Sequence, residues 1–474
     1  MNEKKTVWQP ELSMMNNERV QQFHEAALQI LAEVGLHVQH QDMRALLEQS
    51  GGKIDQENRV HITEQMVSKA LGTVKDDVII YNRQGQASMP LGAHQIYFGT
   101  GSDLPFTYDY EKRQQRKSTL EDVARSARLC DALEEIDFVM SFALPEDVPN
   151  DETEPQQFCS ILQNTVKPVI MTSYSGIESL NRMHQMACLM VGGEEAFRKK
   201  PNYIMYSQFI SPLEHDSLAL ERLIFCADHE IPLIYIPTIM SGATGPITLY
   251  GSLVLALSET LAGLVMHQLQ HPGAPFITGA CVGPLDMKTG LWPYGSAEWR
   301  INDLVMAEMA RHYGIPVFGT GGTSDSKLVD AQTGAEYAGS LLIAALAGTN
   351  LIHDVGYLNS GLTGSLESIV LGAEIIRWVK RFIGGVEISD ETLAIDVISE
   401  IGPAGEFLSH DHTYQNLHQT VWNPIVADHK DFDTWVGEGS RDYASRALEF
   451  VRTTLESHQV EALDPVLKEK LNKI

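Results

Sequence analysis

Several things are scarce in this 474-residue chain, and each scarcity excludes something. Basic residues are few: 35 Lys and Arg stand against 62 Asp and Glu, a formal charge of −27. Nucleic-acid binders concentrate positive charge, so nucleic acid is not an expected partner. Only five cysteines occur, Cys130, Cys159, Cys188, Cys226 and Cys281. They are odd in number and scattered, and no CxxC pair exists. That argues against a disulfide framework or a zinc knuckle and fits a reducing compartment. No run of eighteen apolar residues exists, so no membrane association is expected. The start, "MNEKKTVWQPELSMMNNERV", lacks an apolar signal core, and a cytoplasmic location is the expectation.

Catalytic signatures are scarce as well. GxSxG is absent, and no cysteine belongs to a protease-like cysteine–histidine signature. Gly319, Gly321 and Gly322 do not have the GxGxxG spacing of a dinucleotide loop. The expected strand ends carry no lysine for Schiff-base chemistry, although Lys167 precedes the third run and Lys327 follows the seventh loop.

What is present is apolar content of 43%, enough for a large core. Residues 18–49 read as helix, with Phe23, Ala27, Ile30, Leu31 and Val34 on one face and Gly35 as a stop. "RVHITEQMVSKAL" reads as a short strand and then a helix capped by Thr63. Residues 1–92 form an N-terminal α/β accessory segment in this reading.

A rhythm then begins. Eight short apolar runs fall at 96–99, 136–142, 168–172, 203–207, 232–236, 275–280, 316–319 and 350–355. The gaps between most of them carry helical periodicity. Continuous apolar strands alternating with helices mean a parallel sheet buried on both faces. Eight such units predict an α/β fold, a (β/α)8 TIM barrel over 93–384, with a doubly wound open sheet as the alternative. Residues 385–474 are polar and turn-rich and read as a C-terminal extension packed back on the barrel.

Barrel sites are built from the loops after the strands. The last run, "NLIHDVGYLNSG", puts His353, Asp354 and Tyr357 at the mouth. The preceding one ends "FGTGGTSDSK", whose backbone at Gly321, Gly322, Thr323 and Ser324 could form an anion-binding nest, or simply a tight turn capped by Ser324 or Asp325. Tyr97, Phe98, Trp292 and Tyr294 lie near the ends of the first and sixth runs. An aromatic mouth with few fixed charges suits a quaternary ammonium held by cation–π contact. Rings that merely pack loops, and a His353–Asp354 pair that is merely structural, are the plainer readings. Glu406, His410, His412 and His418 could ligate a metal, but they lie outside the expected barrel. No catalytic metal is expected, and that segment reads as a cap on the mouth or an interface.

The blocks "FGTGGTSDSKLVDAQTGAEYAGSLLIAALAGTNLIHDVGYLNSGLTGSLE", "GTGSDLPFTYDYEKRQQRKSTLEDV" and "GEFLSHDHTYQNLH" resemble the trimethylamine methyltransferase family. The likeness runs over nearly the whole chain. It implies a barrel that moves a methyl group from an amine to the cobalt of a separate corrinoid protein. Archaeal members carry pyrrolysine near the mouth, whereas this chain has only standard residues. That resembles the non-pyrrolysine branch and implies glycine betaine as substrate and dimethylglycine as product. Proline betaine, carnitine and trimethylamine are the alternative donors, and a non-catalytic quaternary-amine binding protein is the other class. The resemblance implies no tightly bound cofactor, since cob(I)alamin comes with the partner. It leaves His353 and Asp354 as the catalytic candidates. Tyr97, Phe98, Trp292, Tyr294, Gly321, Gly322, Thr323, Ser324 and Tyr357 are the substrate-binding ones. A homo-oligomer is the expected assembly.

Overall fold

A computed structural model of the protein describes residues 10–75, 77–92, 95–385 and 387–474. The boundary expected at residue 93 falls on residues 93–94, outside the described set, as do residues 1–9.

The eight apolar runs form a closed ring of parallel strands. In chain order they are Tyr97–Thr100, residues 138–139, Val169–Thr172, Tyr203–Phe209, Leu233–Ser241, Phe276–Gly279, Val317–Thr320 and Leu351–Val355. Each pairs with its sequence neighbour, and the eighth pairs back onto the first. A helix follows every strand, from Leu120–Ala132 after the first strand to Leu366–Ile383 after the eighth. The barrel expectation therefore holds, and the open-sheet alternative does not.

Alternation explains the two apolar layers. In the fourth strand Ile204 and Tyr206 face the barrel interior with Ile170, Ile234, Ile277, Phe318 and Leu351. Tyr203 and Met205 face the surrounding helices. Both faces are buried, so the strand reads as unbroken apolar sequence.

The second strand is shorter than the expected 136–142, reduced to bridges at Phe138 and Val139. Side chains take over its ladder: the Asp137 carboxylate accepts from Phe98 N at 2.9 Å, and Thr100 Oγ1 accepts from Met140 N at 3.0 Å. These bonds replace the backbone pairs that would have lengthened it.

The accessory segment departs from the single helix expected over 18–49. Helix Asn17–Gln29 runs into a π-helical turn, Ile30–Val34, and ends at Gly35; after strand His37–Val38 a second helix, Gln41–Gln49, follows. The short strand Val60–His61 and the helix Glu64–Leu71 capped by Thr63 are as expected. Phe23, Ala27 and Leu31 join the outer core and pack on helix Leu249–Gln270. Among the described residues this is the one helix long and apolar enough to cross a membrane, and 78% of that window is buried within the fold. Its apolarity on all sides is that of a core helix.

A hairpin, Val78–Tyr81 with Ala87–Leu91, sends Val78, Ile80, Met89 and Leu91 into the barrel interior. It plugs the end at which the strands begin, and the other end stays open. At the C-terminus, the Glu374 carboxylate accepts from the backbone N–H groups of Ile425, Val426 and Ala427 at 2.6–3.2 Å. Those bonds tie residues 425–427 to helix Leu366–Ile383. Helix Tyr443–Ser457 packs on the same helix.

Candidate active site

A cavity of about 440 Å³ opens at the carboxyl ends of the strands. Residues from strands one, three, four, six and eight reach it, among them Asp103, Thr172, Tyr206, Cys281, His353, Asp354 and Tyr357. A second hollow of about 540 Å³ lies against the accessory segment, but Lys69 is its one charged lining residue.

His353 and Asp354 are consecutive, yet both line the cavity. A regular strand would point them to opposite faces. The register between the eighth and first strands shifts between Ile352 and Val355, and Asp354 has φ +81°. The irregularity re-aims one side chain so that both face inward. Aspartate tolerates this conformation better than most side chains.

Gly101 makes room for the pair. A Cβ there would lie 2.3 Å from the Tyr357 ring and 2.5 Å from Asp354 Oδ1. With only hydrogen at that position, the first strand passes flush against both. Tyr357 then donates its hydroxyl hydrogen bond to the Ser102 carbonyl.

Four tyrosines line the space: exposed Tyr174, and the three inner rings of Tyr206, Tyr294 and Tyr357. Tyr294 stacks on buried Trp299 at 4.5 Å, and Trp292 backs both rings. Tyr206 lies edge-on to His353 at 6.1 Å. Burial above all holds the three phenols well above their ordinary range, so they stay neutral. Burial also pushes up the Cys281 thiol, which removes it as a thiolate nucleophile.

His353 stacks on Phe318 at 3.8 Å. Its Nδ1 donates to the Gly319 carbonyl at 2.8 Å, and its Nε2 lies 3.3 Å from Asp354 Oδ1. Burial lowers the imidazole to about 3. Burial also raises the Asp354 carboxyl well above its ordinary range, against the pull of the Arg300 charge. Burial thus favours the neutral form of both groups in the free protein. Across the cavity, Asp103 accepts from Ser141 Oγ at 2.7 Å and Gln157 Nε2 at 3.1 Å, and from the Thr172 hydroxyl. Arg222 reaches the cavity from helix Ser217–Asp228, which follows the fourth strand. It donates to Ser207 Oγ at 2.9 Å and to the Gln208 carbonyl at 3.3 Å. Among the described residues it has no ion-pair partner.

Of the residues expected here, Tyr294, His353, Asp354 and Tyr357 line the cavity, and Trp292 sits behind Tyr294. Tyr97 does not line it. It begins the first strand, at the plugged end, with its hydroxyl on the Pro90 carbonyl at 3.3 Å. Phe98 points away from the interior into the outer core, under Lys380 Nζ at 5.4 Å. The 321–324 nest is not available to an anion, because the protein occupies it. Gly321 N donates to the His353 carbonyl, Gly322 N to Ser340 Oγ and Ser324 N to the Tyr357 carbonyl. The hydroxyl of Ser324 goes to Glu336, and buried Thr323 packs in a bridge to Tyr357. That loop is scaffold for the eighth strand. Lys167 is equally structural, its ammonium donating to the carbonyls of Cys130, Leu133 and Ile136. No cavity-lining residue comes from the His410–His418 segment. His410 instead caps helix Asp411–Thr420.

Asp103, Tyr206, Gln208 and Arg222 are cavity residues that the sequence reading missed. Tyr206 and Gln208 alternate at the end of "YIMYSQF", the same signal that marks the other strand ends.

The family model described as trimethylamine methyltransferase matches residues 3–474. The chain belongs to the trimethylamine methyltransferase family. Within it, the chain is 31% identical to a trimethylamine methyltransferase of Desulfitobacterium hafniense, covering 98% of this chain and 93% of that one. It is 30% identical to a glycine betaine methyltransferase of the same species, covering 98% and 96%. A trimethylamine methyltransferase of Methanosarcina thermophila is 32% identical, with 96% and 95% covered. In fold the chain is similar to the monomethylamine methyltransferase of Methanosarcina barkeri, with a TM-score of 0.55, 10% identity, and 94% and 88% of the two chains covered. The relatives named here are all methyltransferases, and their substrates differ.

Proposed function

We propose that this member of the trimethylamine methyltransferase family demethylates a small zwitterionic quaternary amine, with glycine betaine as the substrate. The methyl group passes to the Co(I) of a corrinoid carried by a separate protein, and dimethylglycine leaves. Charge placement carries the reading. Two carboxyls, Asp103 and Asp354, and one guanidinium, Arg222, line the same tyrosine-walled cavity. Asp354 belongs to strand eight and Arg222 follows strand four, on opposite sides of the ring. A trimethylammonium ion alone leaves Arg222 without a counter-charge. A betaine satisfies both ends.

The chemistry asks little of the protein. A quaternary nitrogen already carries its leaving group, a neutral amine. The C–N bond breaks as its carbon is attacked, and no proton has to be delivered. The partner's reduced corrinoid supplies the nucleophile. The chain's own residues supply position, a cation-stabilising wall and exclusion of water. Each well-placed ring contributes about 0.5–2 kcal/mol to holding the ammonium.

The mouth suits a docking partner. Its rim exposes apolar side chains from loops after strands four, five, six and eight, including Ile210, Ile247, Met287 and Leu362. Ile247 and Met287 are 65% and 66% exposed. A cobalt atom can reach the methyl only from this side.

The test is spectroscopic. Purified protein is mixed with reduced cob(I)alamin and, in turn, glycine betaine, trimethylamine, carnitine, proline betaine or buffer. Loss of the cob(I) band with growth of methylcobalamin for glycine betaine supports the reading. Transfer from trimethylamine alone replaces the substrate. No transfer from any donor, with the cognate corrinoid protein also supplied, rejects the enzyme and favours a binding protein.

A further inference from the structure

At the plugged end of the barrel, far from the mouth, four metal-ligating side chains converge. His184 and Cys188 stand one turn apart on helix Ile177–Val191 and share a face. The helix stops at Gly192 and Gly193, with φ +97° and +119°. That conformation is open to glycine and closed to most side chains, and it doubles the chain back on itself. Glu194, which opens the next helix, is thereby returned to His184 and Cys188. His229, at the end of helix Ser217–Asp228, arrives from a third side.

The ligand atoms are close. His184 Nε2 lies 2.7 Å from Glu194 Oε2, and His229 Nδ1 lies 2.9 Å from Glu194 Oε1. Cys188 Sγ is 3.4 Å from His184 Nε2 and 3.3 Å from Glu194 Oε2. One atom each of His184, Glu194 and His229 lies within 4.8 Å of the others.

We propose that His184, Cys188, Glu194 and His229 form a structural zinc site. The set is two imidazoles, one thiolate and one carboxylate, a full tetrahedral complement with no open position. Zinc bonds of about 2.0–2.3 Å place neighbouring ligand atoms roughly 3.3–3.8 Å apart. The four separations given above need opening by less than about 1 Å on that basis, and Cys188, which lies outside the 4.8 Å group, closes toward His229 as the ion binds. Glu194 and His229 are partly exposed, at 38% and 34%, so the cluster has both a route of entry and slack.

The surroundings fit as well. His184 Nδ1 lies 3.3 Å from the Tyr203 hydroxyl, which orients Nε2 toward the cluster. Phe197 and Phe225 hold the ring edge-on at 4.9 and 5.8 Å. Arg198 stands 3.5 Å from Glu194 and adds positive charge at the rim. The thiolate and carboxylate together still balance a divalent ion. Binding displaces the Cys188 proton to solvent and replaces the hydrogen bonds that Glu194 now accepts. Tyr203 begins the fourth strand, whose far end carries the cavity residue Gln208. The site therefore clamps three helices at the base of the barrel and takes no part in chemistry at the mouth.

Elemental analysis of protein purified without chelators tests this, together with optical titration of metal-stripped protein by Co(II). Stoichiometric zinc, or stoichiometric Co(II) uptake with a near-ultraviolet thiolate-to-cobalt band, is the expected result. The band should vanish in Cys188→Ser and the affinity should fall at least tenfold in His229→Gln, a partly exposed position that leaves the fold intact. Zinc should also raise the melting temperature of the stripped protein. Failure to take up either metal stoichiometrically overturns the proposal, and so does Co(II) uptake whose spectrum is indifferent to Cys188→Ser.

Discussion

His353 Nε2 faces Asp354 Oδ1 across 3.3 Å, although the two residues are adjacent in the chain. The Gly319 carbonyl can only accept, so the imidazole proton is on Nδ1 and Nε2 presents its lone pair. Burial keeps the carboxyl protonated and the imidazole neutral. The cavity floor is thus uncharged until a cation arrives.

A quaternary ammonium beside Asp354 favours its ionised form and lowers its pKa from the raised free-state value. We predict that binding releases a proton. Calorimetry in buffers of different ionisation enthalpy measures it directly. Affinity should rise with pH between the bound and free pKa values of Asp354, and level off above them. Asp354→Asn should abolish the proton release and weaken binding by about 1–3 kcal/mol, roughly tenfold to a hundredfold.

Arg222 separates a zwitterion from a plain cation. Arg222→Gln should cost glycine betaine about 2–5 kcal/mol of binding, because the carboxylate loses its buried partner. Tetramethylammonium, which has no carboxylate, should bind the variant as well as or better than the parent. Equal losses for both ligands would show that Arg222 acts on the cavity's shape alone.

Gly101→Ala drives a methyl group into the Tyr357 ring and Asp354. Overpacking of that kind costs about 1–3 kcal/mol, and here it also displaces the cavity floor. Urea unfolding should show the loss, and methyl transfer should fall further than stability does. Gly339→Ala is the control. That helical glycine has nothing within 4 Å of an added Cβ, so the change should stabilise by about 0.4–1 kcal/mol.

Glu259 gives a pH signature outside the cavity lining. Burial raises its carboxyl to about 7, although Ser211 Oγ and Leu213 N donate to it. Between the ordinary carboxylate pKa and about 7, the unfolded chain has lost this proton and the folded chain retains it. The group's contribution to stability therefore falls as pH rises through that window. Glu259→Gln should remove the slope, so the variant gains on the parent by a few kcal/mol between about pH 5 and pH 8. Urea unfolding at the two pH values reads this difference.

Much of the architecture was legible because the buried strands alternate with helices at regular intervals. The runs at 203–207 and 350–355 are examples, buried on both faces. The second strand was overread because two bonds that a longer ladder would give to backbone, on Phe98 N and Met140 N, go to the Asp137 and Thr100 side chains. His353, Asp354, Tyr357 and Tyr294 were legible from the rule that barrel sites gather at strand ends. Tyr97 was misplaced because it lies at the opposite end of its strand. The glycine loop was misread because its N–H groups bond to the eighth strand and helix Ala331–Ala347, partners remote in sequence. Arg222 was invisible for a similar reason. It lies within an ordinary amphipathic helix, and only the packing of that helix brings its guanidinium to the cavity.

The most direct measurement is a crystal structure of the protein with glycine betaine bound. The account predicts the trimethylammonium group among the rings of Tyr206, Tyr294 and Tyr357, beside Asp354, with one methyl facing the mouth and the carboxylate on Arg222. A betaine whose carboxylate avoids Arg222, or one bound outside this cavity, would contradict it.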